Sequence, residues 1–166
     1  FQLKGHPWSI FALWPDDEFK DSAAELSKEL AADVLTFANS DFSGWSFVNL
    51  YRGGEEVEAL HWGEDLTESG LAGPDLSEWD TPAKITTDHG DDVVITDQWL
   101  FRSKLRQVSE KDLQKGEAFN DELFKLYDAY LPDAEDMPWV GENGIESPLG
   151  AEAFKTVQLV EFDEEA

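Results

Sequence analysis

The chain has 166 residues, a size that fits one domain. Hydrophobic residues make up 41 % of the chain and aromatic residues 13 %, and this composition predicts a packed core. It carries 37 Asp and Glu against 12 Lys and Arg, a formal net charge of −25. This charge opposes binding to nucleic acid and to anionic membranes and favours a basic partner. The chain contains no Cys, which excludes disulfides, thiolate metal sites and a Cys nucleophile.

The first half of the chain alternates apolar runs with turn-forming residues. Residues 8–14 predict a strand, and a capping box begins a helix predicted over 22–32. Residues 34–38 predict a second strand. The strongest signal is a hairpin over 45–62, in which two alternating strands flank a Gly53-Gly54 turn.

The second half begins with residues 63–82, which are rich in Gly, Pro, Ser, Asp and Glu and have no period. They predict a long loop, the kind of segment that often carries function. The remaining predicted elements are strands over 83–87 and 93–108, a helix over 109–130 and a last strand over 154–162. Gly116 weakens that helix by about 1 kcal/mol relative to Ala.

This order of elements is a meander rather than a regular alternation of strands and helices. It predicts an α+β fold with a mostly antiparallel sheet of about 5–7 strands and two helices packed on one face. Residues 1–166 are expected to form a single domain. No apolar run approaches the roughly 20 residues of a membrane helix. The chain begins with Phe1, so the removal of a signal peptide remains one possibility at this stage. A cytoplasmic location is the expectation.

Acidic residues are concentrated between Gly53 and Asp97, where thirteen Asp and Glu accompany one base, Lys84. One interpretation is a solvated acidic surface, as in proteins from salty environments. The other is a face that binds a basic partner. The candidate partner-binding residues are Glu55, Glu56, Glu58, Glu64, Asp65, Glu68, Asp88, Asp91 and Asp92.

DNA mimicry is a special case of such a face. A compact chain of this length is roughly 40 Å across, and ~40 Å of duplex DNA carries about 23 negative charges. The net charge of −25 is similar. A mimic is expected to compete with DNA for a DNA-binding protein.

Three Trp residues adjoin predicted loops and are candidate exposed anchors in an interface: Trp62, Trp79 and Trp139. Carboxylates beside Trp platforms are also typical of carbohydrate-active enzymes. This enzyme hypothesis remains an alternative, although the sequence favours a protein without catalytic residues.

A local basic cluster is formed by Arg102, Lys104, Arg106, Lys111 and Lys115. It is predicted to neutralise acids across the sheet rather than to bind an anion. The three His are scattered, and the Asp88–Asp92 segment lacks the spacing of a calcium loop. No metal, no cofactor, no nucleic acid and no membrane partner are expected.

The first half of the chain contains three short motifs that together form a pattern: Ala-Glu-Leu-Ser-Lys-Glu-Leu at 24–30, Asp-Val-Leu-Thr-Phe at 33–37 and Val-Asn-Leu-Tyr-Arg-Gly-Gly-Glu-Glu-Val-Glu at 48–58. Residues 22–62 are similar to small uncharacterised bacterial α+β proteins with a helix, a strand and a hairpin of this pattern. Some of these are suspected immunity-type (toxin-neutralising) or accessory proteins. The resemblance carries no catalytic residue and implies a binding protein.

The leading hypothesis is therefore a non-enzymatic binding protein, of immunity or inhibitor type, that engages a basic protein through its acidic face. If so, reversing Glu56, Glu58, Glu64 and Asp65 to Lys is expected to slow association without unfolding the domain. The alternatives are a domain with a salt-adapted acidic surface and a carboxylate-based enzyme.

Overall fold

The computed structural model describes residues 2–10, 19–40, 44–64, 66–67, 70, 72–73, 75–88, 94–129, 139–141 and 144–156. The chain divides into two compact units. One consists of Phe1–Trp14 with Asn120–Ala166, and the other of Pro15–Phe119. The expectation of one domain over residues 1–166 stays a prediction.

The described residues contain strands and helices in the following order: β1 (Gln2–Leu3), α1 (Phe19–Glu29), β2 (Val34–Ser40), β3 (Trp45–Arg52), β4 (Glu55–Gly63), β5 (Thr81–Asp88), β6 (Val94–Ser103), α2 (Glu110–Leu113), α3 (Glu117–Leu126), β7 (Trp139–Gly141), β8 (Gly144–Glu146) and β9 (Phe154–Thr156). Every strand pairing among them is antiparallel. The predicted α+β fold with a mostly antiparallel sheet is confirmed.

The larger unit is built on a five-stranded sheet with the order β2-β3-β4-β6-β5. The hairpins β2–β3, β3–β4 and β5–β6 join neighbours, and β4 pairs with β6. The strand β5 lies at an edge, which suits Pro82 because proline has no N–H to donate to a second neighbour.

The β3–β4 hairpin forms where the alternation predicted it, to within one residue. Gly53 and Gly54 make its turn with φ of 62° and 91°, values that glycine adopts without steric cost. At the other end, a Cβ on Gly63 would lie 2.4 Å from the Gly44 carbonyl oxygen. The two strands therefore approach each other more closely there than any other residue would permit.

The helix α1 begins earlier than predicted, at Phe19, so Ser22 lies inside it rather than at its N-cap. It ends before Ala31, whose φ of 48° is left-handed. Its buried side includes Ala23 and Ser27. The Ser27 hydroxyl accepts the Gly54 N–H at 2.9 Å, which fastens the helix to the hairpin turn.

The helix predicted over 109–130 is divided at Gly116, whose φ is +62°. Before it, α2 begins with a capping box between Ser109 and Asp112. After it, α3 begins, and Phe119 packs edge-on against Phe101 of β6 with ring centroids 5.8 Å apart. The sequence predicted only a weakening of one helix at Gly116, whereas the structure has two helices separated by this residue.

Part of the long segment after β4, which was predicted to be a loop, packs on one face of the sheet. Leu66, Ala72 and Trp79 are buried against Ala59 and Leu100 in one apolar cluster. A single turn of 3-10 helix at Leu76–Glu78 leads into Trp79. The segment contributes to the core despite its polar composition.

The smaller unit contains two short strand pairs, β1 with β9 and β7 with β8. The Trp8 indole N–H donates to the Tyr127 carbonyl at 2.9 Å. Residues 8–10 are not in a strand, in contrast to the prediction over 8–14, and residues 11–14 lie outside the described part. The predicted last strand is present as β9, and its continuation beyond Thr156 also lies outside that part.

The helices in the described ranges are all too short or too polar to cross a lipid bilayer.

Candidate functional site

The acidic residues at the start of β4 are paired with bases from β6 and the chain that follows it. Glu56 Oε1 accepts from Arg102 Nε at 2.8 Å, and Glu55 Oε2 accepts from Lys104 Nζ at 2.9 Å. The bond from Lys104 holds the pKa of the Glu55 carboxyl below its ordinary value. At these pairs, the predicted neutralisation of acids by the basic cluster across the sheet is confirmed.

Glu58 is the most enclosed of these carboxylates, with 3 % of its surface exposed. Arg106 binds both of its oxygens, with Nη2 at 2.6 Å from Oε1 and Nε at 2.7 Å from Oε2. The Ser103 hydroxyl donates to Oε2 at 2.6 Å. The expectation that Glu58 belongs to an exposed acidic face is corrected: its carboxylate is buried, and donors within the chain occupy both of its oxygens.

A depression of about 430 Å³ opens beside these ion pairs. We call it the charged depression, and its lining residues are Glu56, Val57, Glu58, Glu78, Asp80, Arg102, Ser103 and Lys104. Four of them are acids and two are bases, so negative charge predominates. A concave surface of this charge favours a cationic group from a partner.

Glu78 and Asp80 differ from the other acids of the charged depression. Both are exposed, and no Lys or Arg in the described ranges forms an ion pair with either of them. Asp80 Oδ2 accepts the Ser103 N–H at 3.0 Å, and this bond fixes its position. Sequence reasoning counted both among the thirteen acids but did not select them, although their position on either side of a Trp was an available signal.

Trp79 lies in the chain between Glu78 and Asp80 and is 4 % exposed, so the prediction of an exposed anchor is wrong. Its indole N–H donates to the Ala72 carbonyl at 3.0 Å. The Arg102 guanidinium lies over the indole, 4.6 Å from its centroid. The position of Arg102 is thus set by a carboxylate on one side and an aromatic ring on the other. The indole is buried because it fills the core, which a loop composition does not reveal.

A buried polar cluster lies next to Trp79 and was not predicted. His61 Nε2 donates to Asn49 Oδ1 at 2.9 Å, and both residues are almost fully enclosed. The Asn49 amide nitrogen is 3.5 Å from the Tyr51 hydroxyl. The His61 ring centroid is 4.6 Å from that of Trp79. The alternation of the hairpin places Asn49 and His61 on the apolar face, which was the available signal.

Neither a family model, nor a curated protein, nor a solved structure matches this chain.

The other two candidate anchors belong to different units of the chain. Trp62 is half-buried and stacks on Trp99 with ring centroids 5.1 Å apart and planes inclined by 9°. It is therefore part of the sheet packing. Trp139 begins β7, in the smaller unit.

The acidic residues that were selected as one face lie at different places in the sheet. Glu64 is exposed and follows the last residue of β4, six residues beyond Glu58, which corresponds to about 20 Å along a strand. Asp88 ends β5, opposite Val94. Asp65, Glu68, Asp91 and Asp92 lie outside the described residues. Of the nine selected acids, the structure brings together Glu55, Glu56 and Glu58.

In the described residues, no group of three or more His, Asp or Glu is arranged to hold a metal ion.

Proposed function

We propose that the protein is a non-enzymatic binding protein that engages a basic partner at the charged depression. The observation that carries the proposal is that the acidic residues lining the charged depression differ in their ion pairing. Glu56 and Glu58 are bound to guanidinium groups within the chain, whereas Glu78 and Asp80 have no such cation in the described part. A cationic group of a partner would complete the charge balance there.

The geometry suits a Lys or Arg side chain as the inserted group. A guanidinium or ammonium entering the depression would meet the Glu78 and Asp80 carboxylates at its entrance. Charge-assisted hydrogen bonds between such groups are roughly twice as strong as neutral ones. The excess of acids over bases in the whole chain would also attract a basic partner from a distance.

The ion pairs support binding rather than catalysis as the use of this surface. Both oxygens of Glu58 are occupied by donors from Arg106 and Ser103. A carboxyl that exchanges protons with a substrate must present an oxygen to it. The resemblance of residues 22–62 to immunity-type proteins implies the same class. A cytoplasmic location, as expected from the sequence, belongs to this proposal.

The first test is a pair of charge reversals at exposed positions. Glu78→Lys changes the charged depression, and Glu25→Lys on α1 changes the net charge by the same amount elsewhere. The probe is a ten-residue peptide of alternating Lys and Ser, and its association rate is measured at 20 and 300 mM NaCl. We expect E78K to slow association several-fold more than E25K at low salt, and the difference to shrink at high salt.

Both variants should retain the wild-type melting temperature, since each replaced side chain is exposed and makes no ion pair with a described base. Equal slowing by E78K and E25K would mean that the peptide responds to the net charge alone, and the charged depression would then lose its role. Reversal at Glu58 is unsuitable as a test, because a second cation would be placed beside the buried Arg106 contact.

A further inference from the structure

A second depression, of about 350 Å³, lies beside β5, the edge strand of the five-stranded sheet. We call it the apolar depression, and it shares no lining residue with the charged depression. Its lining residues are Leu76, Pro82, Ala83, Lys84, Gln98, Leu100 and Glu110. Leu100 is almost fully buried and Leu76 is half-buried, so the walls are mainly apolar. Lys84 and Glu110 are exposed and of opposite charge.

The side-chain oxygen of Gln98 is the unusual atom of this depression. Gln98 Oε1 is buried, and no donor in the described part of the chain forms a hydrogen bond with it. Buried acceptors in folded proteins nearly always have a partner, and leaving one without costs free energy. The terminal amide torsion of Gln is soft. Rotation about this torsion is the movement by which the oxygen would face a molecule in the depression.

The wall around Gln98 is held in place by the backbone and by α2. Gln98 pairs with Lys84 in the β5–β6 hairpin and with Gly63 of β4. The Gln114 amide, just after α2, donates to the Lys84 carbonyl at 3.0 Å. The strand and the end of α2 are thus held together, and a fixed frame of this kind is a condition for specific binding.

We propose that the apolar depression binds a small uncharged molecule with a flat apolar body and one hydrogen-bond donor. Gln98 Oε1 accepts from that donor, and Leu76, Pro82 and Leu100 contact the body. The volume is in the range of small-molecule sites, which combine apolar walls with few polar groups. Lys84 and Glu110 remain in water and are of opposite charge, so together they offer a charged ligand of either sign no net attraction.

The test compares two probes of nearly equal size, indole and 1-methylindole, of which only indole has an N–H donor. Each is titrated into the ¹⁵N-labelled full chain and followed by the backbone amide shifts. We expect the shifts to concentrate at Leu76, Lys84, Gln98 and Leu100. We expect indole to bind about three- to tenfold more tightly than 1-methylindole, the range that one hydrogen bond supplies.

Two variants separate the acceptor from the rest of the surface. Gln98→Met keeps the length of the side chain and removes the oxygen, and it should abolish the preference for indole. Gln107→Met, at an exposed position outside the depression, should keep it. Shifts spread over the whole chain, equal affinities in the wild type, or a preference that persists in Q98M would each overturn the proposal.

The melting temperature of Q98M gives a readout that needs no ligand. An acceptor without a donor destabilises the unbound protein, so Q98M should melt above the wild type. A lower melting temperature would mean that the oxygen is already satisfied, which would remove the premise. The proposal does not depend on the charged depression, and E78K should leave indole binding unchanged.

Discussion

Glu58 is the residue whose surroundings differ most from those of its neighbours in sequence. Its side chain is 2 % exposed, whereas that of its ion partner Arg106 is 24 % exposed and that of Glu55 is 71 % exposed. Removing one partner of a buried ion pair leaves the other desolvated and unpaired. Removing one partner of an exposed pair leaves it in water. The two pairs on β4 therefore contribute differently to stability.

Glu58→Gln should lower the free energy of unfolding by about 3 kcal/mol, because Arg106 and the Ser103 hydroxyl lose their charged acceptor. Glu55→Gln, on the same strand and with the same chemical change, is the matched control and should have no measurable effect. Urea unfolding of both variants gives the comparison. Equal losses would show that burial does not distinguish the two pairs.

The double variant Glu58→Met with Arg106→Met should lose less stability than E58Q alone. Apolar side chains of similar volume can replace a buried ion pair at little cost, since neither charge has to be desolvated. The same urea experiment measures it. A double variant less stable than E58Q would contradict this account. It would mean that the attraction between Glu58 and Arg106 contributes more to stability than the cost of desolvating their charges takes away.

The sequence predicted that acids and bases pair across this part of the sheet, but it did not predict how deeply each pair is buried. Alternation shows which residues of β4 share a face, and the bases at 102–106 indicated neutralisation across the sheet. It does not show how far a face is covered by segments distant in the chain. Glu58 and Glu56 look alike in the pattern, yet one is buried and the other half-buried. Depth depends on tertiary contacts, which composition does not encode.

At the scale of elements, Gly63 permits the close approach of β3 and β4. Gly63→Ala should destabilise the protein by about 3 kcal/mol or more, because the added Cβ would meet backbone atoms of Gly44 and Trp45. Gly53→Ala, in the open turn at the other end of the hairpin, should cost only about 1–2 kcal/mol for its positive φ. Thermal unfolding compares them, and similar losses would contradict this account.

The start of β2 is joined to the end of β3 by an ion pair. Asp33 accepts from Arg52 at 2.8 and 2.6 Å, and this bonding lowers the pKa of Asp33 and raises that of Arg52. A carboxyl with a lowered pKa stabilises the folded state at neutral pH, and this contribution is lost as the pH falls through the lowered value.

Wild type should therefore be slightly more stable than Asp33→Asn at pH 7. The difference should be below about 1 kcal/mol because both side chains are more than one third exposed. It should shrink as the pH falls below the ordinary value for an Asp carboxyl, about 3.9, and vanish once the lowered pKa of Asp33 is passed, because the wild-type carboxyl is then protonated. Urea unfolding at pH 7, 5 and 3 tests this. A difference that grows on acidification would have the wrong sign.

Elements differ in how well the sequence predicted them, for physical reasons. The β3–β4 hairpin combines clean alternation with two turn glycines, so local signals agree. The helix over 109–130 has an apolar stripe that runs through Gly116, and periodicity alone carries it across a residue that is left-handed in the structure. Trp79 was assigned to a loop because its partners, Ala59 and Leu100, lie far away in sequence.

For the molecule as a whole, the excess of acids sets how stability depends on salt. The described ion pairs occupy Arg52, Arg102, Lys104, Arg106 and Lys115, and most of the 37 acids can have no basic partner among the 12 bases of the chain. Repulsion among the remaining carboxylates opposes the compact state. Added salt screens that repulsion over about 10 Å at 0.1 M and about 3 Å at 1 M.

The melting temperature should therefore rise with NaCl up to a few tenths molar and then level off. Screening is the expected cause, so KCl and NaCl should act alike. A rise that continues steeply into the molar range would favour the salt-adapted surface over the binding protein. A fall on adding salt would show that the internal ion pairs outweigh the repulsion.

The buried polar cluster has a consequence for how the chain reaches this fold. Sliding β4 past β3 by two residues would return every apolar side chain to its face, so the apolar pattern tolerates such a slip. The Asn49 amide does not tolerate the slip that would pair Asn49 with Val57, because His61 would then lie out of its reach, whereas the opposite slip would place His61 directly across from Asn49. An orphaned amide in the interior costs about 1–3 kcal/mol. The cluster is therefore expected to oppose the slip toward Val57, and its replacement by apolar residues should yield a stable protein that misaligns its strands in that direction more often.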